Sequence, residues 1–196
     1  MTDLNKILDI KPNNIKPSQG KVLISEPFMY DYYFKRAVIL LAEYNEEGAF
    51  GIVLNKLLHS KLNDIINGFP PFDADLYVGG PVSTDKLFYI HKFGDIVPDS
   101  TEIADGIYWG GDVEVIKELI AVNKITNNDI RFFIGYSGWT ANQLEEELEN
   151  NSWVVTRTNV KAVLKTKAEQ VWNNIVLSLG EDYAHWVNFP VDPNLN

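Results

Sequence analysis

A serine between two glycines, in the segment GYSGW at 135–139, is where residue types and spacing first suggest chemistry. The α/β-hydrolases hold their nucleophile in a G-x-S-x-G motif, on a sharp turn between a strand and a helix. Here the second glycine comes one position early, and Trp139 occupies its place. The general base would have to be one of three histidines, namely His59, His91 and His185. A hydrolase that uses Ser137 and His91 is therefore one hypothesis for this chain.

The same segment also has a structural interpretation. Residues 129–135 predict a strand, and Thr140 with Gln143 forms the T-x-x-Q pattern of a capping box. Trp139 and Leu144 occupy the positions of a hydrophobic staple, so the segment predicts a turn followed by a helix from Thr140. The two glycines then either permit the sharp turn or direct backbone N–H groups toward an anion or a carbonyl oxygen.

Several further residues lie at the predicted ends of strands, where binding sites tend to occur. We hypothesise that one pocket is surrounded by Asn55, Gly79, Gly80, His91, Gly135, Ser137 and Gly138. Asn55 supplies both a donor and an acceptor, and a histidine such as His91 can titrate near neutral pH. Each residue also has a structural interpretation, because asparagine can close a turn, paired glycines can form a tight bend, and a histidine between apolar residues can be a hydrogen-bonded core residue.

Composition excludes some chemistry and disfavours more. The 196 residues include 27 acidic and 17 basic side chains, for a net charge of −10, so we expect no direct nucleic-acid binding. The absence of cysteine excludes disulfides and thiolate nucleophiles or ligands. With no signal-peptide pattern and no apolar run of about 20 residues, we expect a cytoplasmic protein with no membrane partner. No ligand spacing or nucleotide fingerprint is present, so we predict neither a metal nor a cofactor.

Hydrophobic patterning predicts a mixture of strands and helices. The predicted strands cover 21–25, 37–44, 50–56, 76–82, 87–93, 107–111, 129–135 and 153–156. The predicted helices cover 62–68, 113–124 after an N-cap at Asp112, 140–150 and 160–179. Segments 37–44 and 50–56 form a hairpin while other strands alternate with helices, which favours a mixed sheet and an α+β fold.

The two ends of the chain have different expected roles. Residues 1–19 are polar and are predicted to form an N-terminal extension, in which Leu4, Ile7 and Leu8 make one helical turn. Residues 20–196 are predicted to form a single domain. The aromatic C-terminal segment is expected to pack back onto the body of that domain.

Five segments, taken in order, resemble the YqgE/AlgH family over roughly residues 20 to 180. They are GKVLISEP at 20–27, FKRAVILLAEYNEEGAFGIVLNK at 34–56, LYVGGPV at 76–82, LFYIH at 87–91 and FFIGYSGWTANQLEEEL at 132–148. The resemblance implies an α+β fold with a mixed, branched β-sheet that has a small barrel-like portion and is surrounded by helices. It also implies a bacterial, cytoplasmic protein without an established activity, from a family labelled as regulating transcription but lacking a recognised DNA-binding motif.

The sequence departs from the family pattern at two places. Leu57 stands where the family usually has a proline, directly after Asn55 and Lys56. Residues 140–142, Thr-Ala-Asn, stand where the family often has Gly-Pro-Gly. If a glycine-rich turn binds a ligand in relatives, the second change removes the glycines of that turn here.

Together these observations predict a binding module for an unknown small molecule or protein partner. One alternative is the hydrolase that uses Ser137 and His91. Another is a regulator of transcription that acts without a recognised DNA-binding motif. The sequence leaves enzymatic activity and oligomeric state open.

Overall fold

A computed structural model describes residues 13–190, within which ten strands form a sheet that curls into a half-barrel. The strands are β1 Lys21–Ser25, β2 Val38–Asn45, β3 Gly48–Val53, β4 Leu57–Lys61, β5 Asp75–Val78, β6 Val82–His91, β7 Ser100–Ala104, β8 Ile107–Gly110, β9 Ile130–Thr140 and β10 Trp153–Arg157. The helices are α1 Leu62–Ile65, α2 Val113–Ala121, α3 Gln143–Glu149, α4 Ala168–Ser178 and α5 Glu181–Ala184, with a π-helical turn at Lys161–Lys165 and a 3₁₀ turn at His185–Asn188. The predicted α+β fold is confirmed.

The sheet branches at β9, its longest strand. Along the main path the order is β10-β1-β2-β3-β9-β6-β8-β7, with antiparallel neighbours throughout. Residues 137–140 of β9 pair with β3, whereas residues 132–134 pair in parallel with β5, which in turn pairs with β4. The last strand on the path, β7, lies close to β2, so the sheet curls toward closure. These features match the branched sheet and the barrel-like portion that the family resemblance implies.

Three apolar clusters occupy the faces of the sheet. The largest lies inside the curl, against α4 and the C-terminal helical turns. Trp172 and Trp186 stack there with ring centroids 6.4 Å apart and are almost fully buried, which confirms the expected packing of the aromatic C-terminal segment. A second cluster packs Leu144 of α3 against β2 and β3, and a third packs Ile116 and Ile120 of α2 against β6 and β9.

Local signals predicted the β2–β3 hairpin and the start of α2 correctly. The hairpin pairs Asn45 with Gly48 across its tight turn. At the start of α2, the Asp112 carboxylate accepts the Glu114 N–H at 2.9 Å, as an N-cap does. Both features depend on residues close together in the chain, which is why sequence alone identifies them.

The predicted turn at 135–139 is wrong. Strand β9 continues through it to Thr140, because residues 137–140 pair with β3. The helix therefore begins later, at Gln143, after Asn142 adopts a left-handed φ of 64°. Asn142 occupies the last position of the family's Gly-Pro-Gly, and asparagine is among the few residues that tolerate this conformation. The Gln143 side chain still accepts the Thr140 N–H at 3.1 Å, which is half of the predicted capping box.

Two other expectations also differ from the structure. The helix predicted over 160–179 is broken, because the chain is extended at Thr166 between the π-helical turn and α4. Strands β4 and β7 were not predicted from the sequence, because each is an edge strand with few buried side chains and therefore no clear hydrophobic pattern. The helical turn predicted at Leu4, Ile7 and Leu8 lies outside the described residues.

Candidate functional site

Glycines from two of the sequence motifs meet where the segment after β5 crosses β9. Gly79 donates its N–H to the Ile134 carbonyl at 2.8 Å, and a Cβ added to Gly79 would lie 2.2 Å from the Gly135 carbonyl oxygen. A Cβ added to Gly80 would lie 2.3 Å from the Tyr136 carbonyl oxygen. The structure thus brings Gly79, Gly80 and Gly135 together as a close backbone crossing, and backbone atoms fill the space that a ligand would need.

Ser137 and His91 lie far apart. Ser137 is fully buried at the crossing, where its hydroxyl donates to the Gly79 carbonyl at 3.1 Å. His91, at the far end of β6, pairs with Ile130, which is seven residues along β9 from Ser137. At about 3.3 Å per residue this separation is roughly 20 Å. A nucleophile and its base must lie within hydrogen-bond reach, so the structure does not assemble these residues into a hydrolase site.

His91 is a fully buried, hydrogen-bonded residue. Its Nε2 lies 2.9 Å from the Gly110 carbonyl, which only accepts, so Nε2 carries the proton. Its Nδ1 accepts the Phe93 N–H at 3.1 Å. Burial lowers the pKa of His91 because an imidazolium would lose its hydration, and the bond to Gly110 offsets part of that effect. The neutral ring therefore satisfies two backbone groups.

We expect acid to destabilise the protein through His91. Because its folded-state pKa lies below the unfolded value of about 6.5, the unfolded chain takes up the proton more readily, and the free energy of unfolding falls as the pH drops below that value. Urea unfolding at about pH 7.5 and about pH 5.5 should show a larger loss in the wild type than in His91→Gln. The exposed His59 provides the control, since His59→Gln should keep the wild-type loss. Equal losses in His91→Gln and the wild type would contradict this expectation.

Asn55, which follows β3, bonds to the backbone at the start of β2. Its Oδ1 accepts the Val38 N–H at 2.9 Å, and its Nδ2 donates to the Arg36 carbonyl at 2.9 Å. Asn55 lines a cavity of about 360 Å³ that Gly138 does not reach. Of the residues predicted to share one pocket, the glycines of the crossing and Ser137 come together, whereas Asn55 and His91 lie elsewhere.

A groove of about 540 Å³ opens beside the end of β9 that carries Gly138. Four half-buried aromatic side chains form its floor, one from each of four strands: Phe50, Phe88, Trp109 and Tyr136. Phe50 lies 5.4 Å from Trp109 and 5.9 Å from Tyr136 between ring centroids, and Phe88 lies 5.4 Å and 5.7 Å from the same two rings. The four rings therefore contact one another in a closed circuit at the edge of the inner core.

A bulge at Gly135 positions one of these rings. Phe133 and Tyr136 both face the inner core, although residues three apart on a regular strand point to opposite faces. Gly135, with a φ of +71°, lies between these two residues and changes the face to which the strand points. The register against β6 shifts at the same place, where residues 83–86 of β6 lie opposite Gly135. The GYSG motif thus acts in part by turning Tyr136 into the groove.

Gly138 and an acidic rim define the opening of the groove. Gly138 is exposed, and a Cβ there would lie 3.3 Å from the Tyr136 ring, so its missing side chain keeps this part of the groove open. A smaller cavity of about 180 Å³ continues from the groove and shares Glu47 with it. Glu43 and Glu47 present exposed carboxylates there. The site can accommodate an apolar ring and place a positive charge beside it.

Sequence reasoning found only Gly138 of the groove residues. The aromatic floor has no local motif, because its four rings come from strands that are distant in the chain. The available signal was weak, consisting of an aromatic residue on the inward face of each of β3, β6 and β8 and two on that of β9. Which strands adjoin one another decides that these residues meet.

The fold and the groove define an α+β protein whose curled, branched sheet carries a ligand-sized aromatic groove. The AlgH-like family (DUF179) matches residues 22–184, and the chain belongs to this family. A UPF0301 protein of Parabacteroides distasonis is 41% identical over 198 residues, with 100% of both chains covered. A UPF0301 protein of Cytophaga hutchinsonii is 42% identical over 180 residues, which cover 91% of this chain and 99% of the relative. The resemblance seen in the sequence is confirmed.

Solved structures show the same architecture. The solution structure of the AlgH protein from Pseudomonas aeruginosa matches with a TM-score of 0.70 and 26% identity, covering 91% of this chain and 98% of that one. The crystal structure of protein DIP2367 from Corynebacterium diphtheriae matches with a TM-score of 0.76 and 24% identity, covering 96% and 100%. The second similarity concerns the fold alone.

Two absences apply to residues 13–190. None of the helices there combines the length and the apolar character that crossing a bilayer requires. In the same part of the chain, no group of three or more histidine or carboxylate side chains is arranged to hold a metal ion.

Proposed function

We propose that this protein is a binding module whose aromatic groove binds a group with an apolar body and an attached positive charge. The observation that carries the proposal is the circuit of four half-buried rings lining a space of about 540 Å³. Ligand sites in proteins are mostly apolar clefts of about 300–1,000 Å³ with a few polar groups.

The charge around the groove supports a cationic ligand. Glu47 lines the groove, and Glu43 lies in the adjoining cavity. Among the described residues, no lysine or arginine lines either space. Aromatic rings attract cations, and carboxylates at the rim add to that attraction. A group that carries both a ring or alkyl body and an ammonium therefore fits better than a neutral or anionic one.

The proposal is tested with tryptamine as the probe and indole as its neutral counterpart. Amide correlation spectra of the wild type should show shifts at Gly138, Thr140 and Trp109 with tryptamine, and weaker shifts with indole. Gly138→Leu should abolish them because the leucine fills the groove, whereas Glu102→Leu, at an exposed position outside the groove, should leave them intact. The proposal would be overturned if the groove shifts persisted in Gly138→Leu. It would also be overturned if neither tryptamine nor indole caused shifts in the groove at millimolar concentration.

A peptide probe distinguishes a small-molecule ligand from a segment of a protein partner. A blocked Trp-Lys dipeptide carries the same ring and a single positive charge on a protein-like backbone. If it binds more tightly than tryptamine, the natural ligand is a segment of a protein partner. If it binds no better, the ligand is a small molecule.

The two alternative functions have no comparable support. Ser137 and His91 lie roughly 20 Å apart, too far for a catalytic pair. Helix α4, with the sequence AEQVWNNIVLS, contains no basic residue, although direct DNA readout by a helix needs basic side chains. We therefore propose binding through the groove and neither alternative.

A further inference from the structure

A second cavity, of about 360 Å³, shares no lining residue with the aromatic groove. It lies between the loop after β1, the start of β4 and the start of α4. Its polar lining consists of Tyr32, Tyr33, Asn55, Lys56, His59 and Glu169. Leu57, Val78 and Ala168 supply an apolar floor. This combination leaves room for a small organic molecule that carries a polar end group.

Lys56 is the unusual member of the lining. Its side chain is partly buried, and its ammonium donates to the Lys35 carbonyl. Within residues 13–190, no carboxylate lies within ion-pair distance of it. Burial lowers the pKa of Lys56, and the nearby charge of Lys35 acts in the same direction, against Asp31. A cation removed from water is costly unless an anion compensates it. Among the described residues Asp31 acts on this ammonium only at a distance, so the cavity holds a charge that no carboxylate contacts.

The surroundings hold this ammonium in place. Asn55, the residue before it, uses its amide oxygen and nitrogen on two backbone groups. Asn55 therefore positions Lys56 and has little capacity left to contact a ligand. The tyrosine loop is also fixed, because the Asp31 carboxylate accepts the N–H groups of Tyr33 at 2.8 Å and Phe34 at 3.1 Å.

Two further features of the cavity concern charge. Its wall includes Ala168, the first residue of α4, an 11-residue helix without a side-chain cap at its N-terminus. The free N–H groups at such an end favour an anion close by. Glu169 is exposed at the rim and disfavours a second negative charge. A singly charged anion satisfies both conditions.

From these observations we infer that the second cavity binds a small organic monocarboxylate, whose carboxylate pairs with Lys56 and whose carbon chain lies on Leu57, Val78 and Ala168. The tyrosines at 32 and 33 cover the ligand. Both tyrosines and the exposed His59 line the cavity and carry hydrogen-bond donors for its oxygens. This site is independent of the aromatic groove and of the function proposed for it.

The test uses sodium butyrate as the probe, with sodium chloride at equal ionic strength as the reference. Amide spectra of the wild type should show saturable shifts at Lys56, Leu57 and Ala168. Lys56→Met keeps the length of the side chain without its charge and should weaken binding at least about tenfold. Lys124→Met, which removes the charge of an exposed lysine after α2 and outside the cavity lining, should bind butyrate like the wild type.

Stability provides a second measurement. Because Lys56→Met removes an uncompensated, partly buried charge, its Tm should equal or exceed that of the wild type. A Tm well below the wild-type value would show that Lys56 serves the fold through Lys35, and would overturn the inference. An absence of butyrate shifts would do the same, and tighter binding of inorganic phosphate would overturn the assignment to a carboxylate. Tryptamine shifts at Gly138 should not change in any of these variants, so the two proposals fail separately.

Discussion

Alanine at Gly135 is expected to destabilise the protein by about 2–5 kcal/mol, enough to unfold much of a marginally stable population. Two costs combine there. The φ of +71° is unfavourable for any residue with a side chain. The new Cβ would also lie 2.6 Å from the Gly80 carbonyl oxygen and 2.9 Å from that of Val82, both of them backbone atoms that cannot rotate away. In Gly135→Ala, either the backbone at Gly80 and Val82 moves away from β9, or β9 itself shifts.

Gly138, three residues along the same strand, provides the matched control. Its φ lies outside the left-handed region, and its nearest neighbour is the edge of a tyrosine ring 3.3 Å away, which can move. Gly138→Ala should therefore cost less than about 1 kcal/mol. Urea unfolding of the two variants measures the difference. Equal stabilities would mean that the crossing is loose, and the glycines of the GYSG segment would then need an explanation based on a ligand.

Alanine at Glu147 is expected to cost about 3 kcal/mol, far more than at any neighbouring glutamate of α3. One of its carboxylate oxygens, Oε2, accepts the indole N–H groups of Trp139 at 2.9 Å and Trp153 at 2.7 Å. The other accepts the Gln143 amide at 3.0 Å. Both indole rings are at least 94% buried, since their exposed fractions are 6% and 4%. Removing the acceptor leaves two buried donors unsatisfied, at about 1–3 kcal/mol each.

Two variants separate this effect from the general loss of a charge on α3. Glu147→Gln keeps an oxygen acceptor without the charge, so it should lose roughly half as much stability as the alanine variant. Glu146→Ala removes an exposed carboxylate from the next position and should change stability by no more than about 0.5 kcal/mol. Chemical unfolding followed by tryptophan fluorescence reports all three variants. If Glu147→Ala and Glu146→Ala prove equally stable, the shared acceptor does not hold α3 to the sheet.

Both predictions concern the GYSGW segment at 135–139, which first suggested catalysis, and both give it a structural role. Gly135 permits the crossing and the bulge, and Ser137 donates across the crossing to Gly79. Trp139 anchors α3 through Glu147. Tyr136 and Gly138 both line the groove, and Gly138 contributes there by lacking a side chain. A motif rich in glycine and serine can thus reflect close backbone packing as readily as it reflects a nucleophile.

The sequence by itself determined the features that depend on neighbours in the chain. Two apolar runs on either side of a turn sequence located the β2–β3 hairpin, Asp112 located the start of α2, and the order of the motifs identified the family. These signals are local, because turn chemistry and caps act over a few residues.

Tertiary structure decided everything that depends on which strands become neighbours. Residues 137–140 form a strand because β3 pairs with them, although their composition favours a turn. His91 pairs with one end of β9, and Ser137 lies seven residues along that strand and pairs with β3. Phe50 and Trp109 are 59 positions apart in the sequence, yet their rings contact each other in the groove. Among residues 13–190, Lys56 has no ion pair only because the fold brings no carboxylate into contact with it. Non-local pairing sets these distances, and no pattern within a short stretch of sequence encodes it.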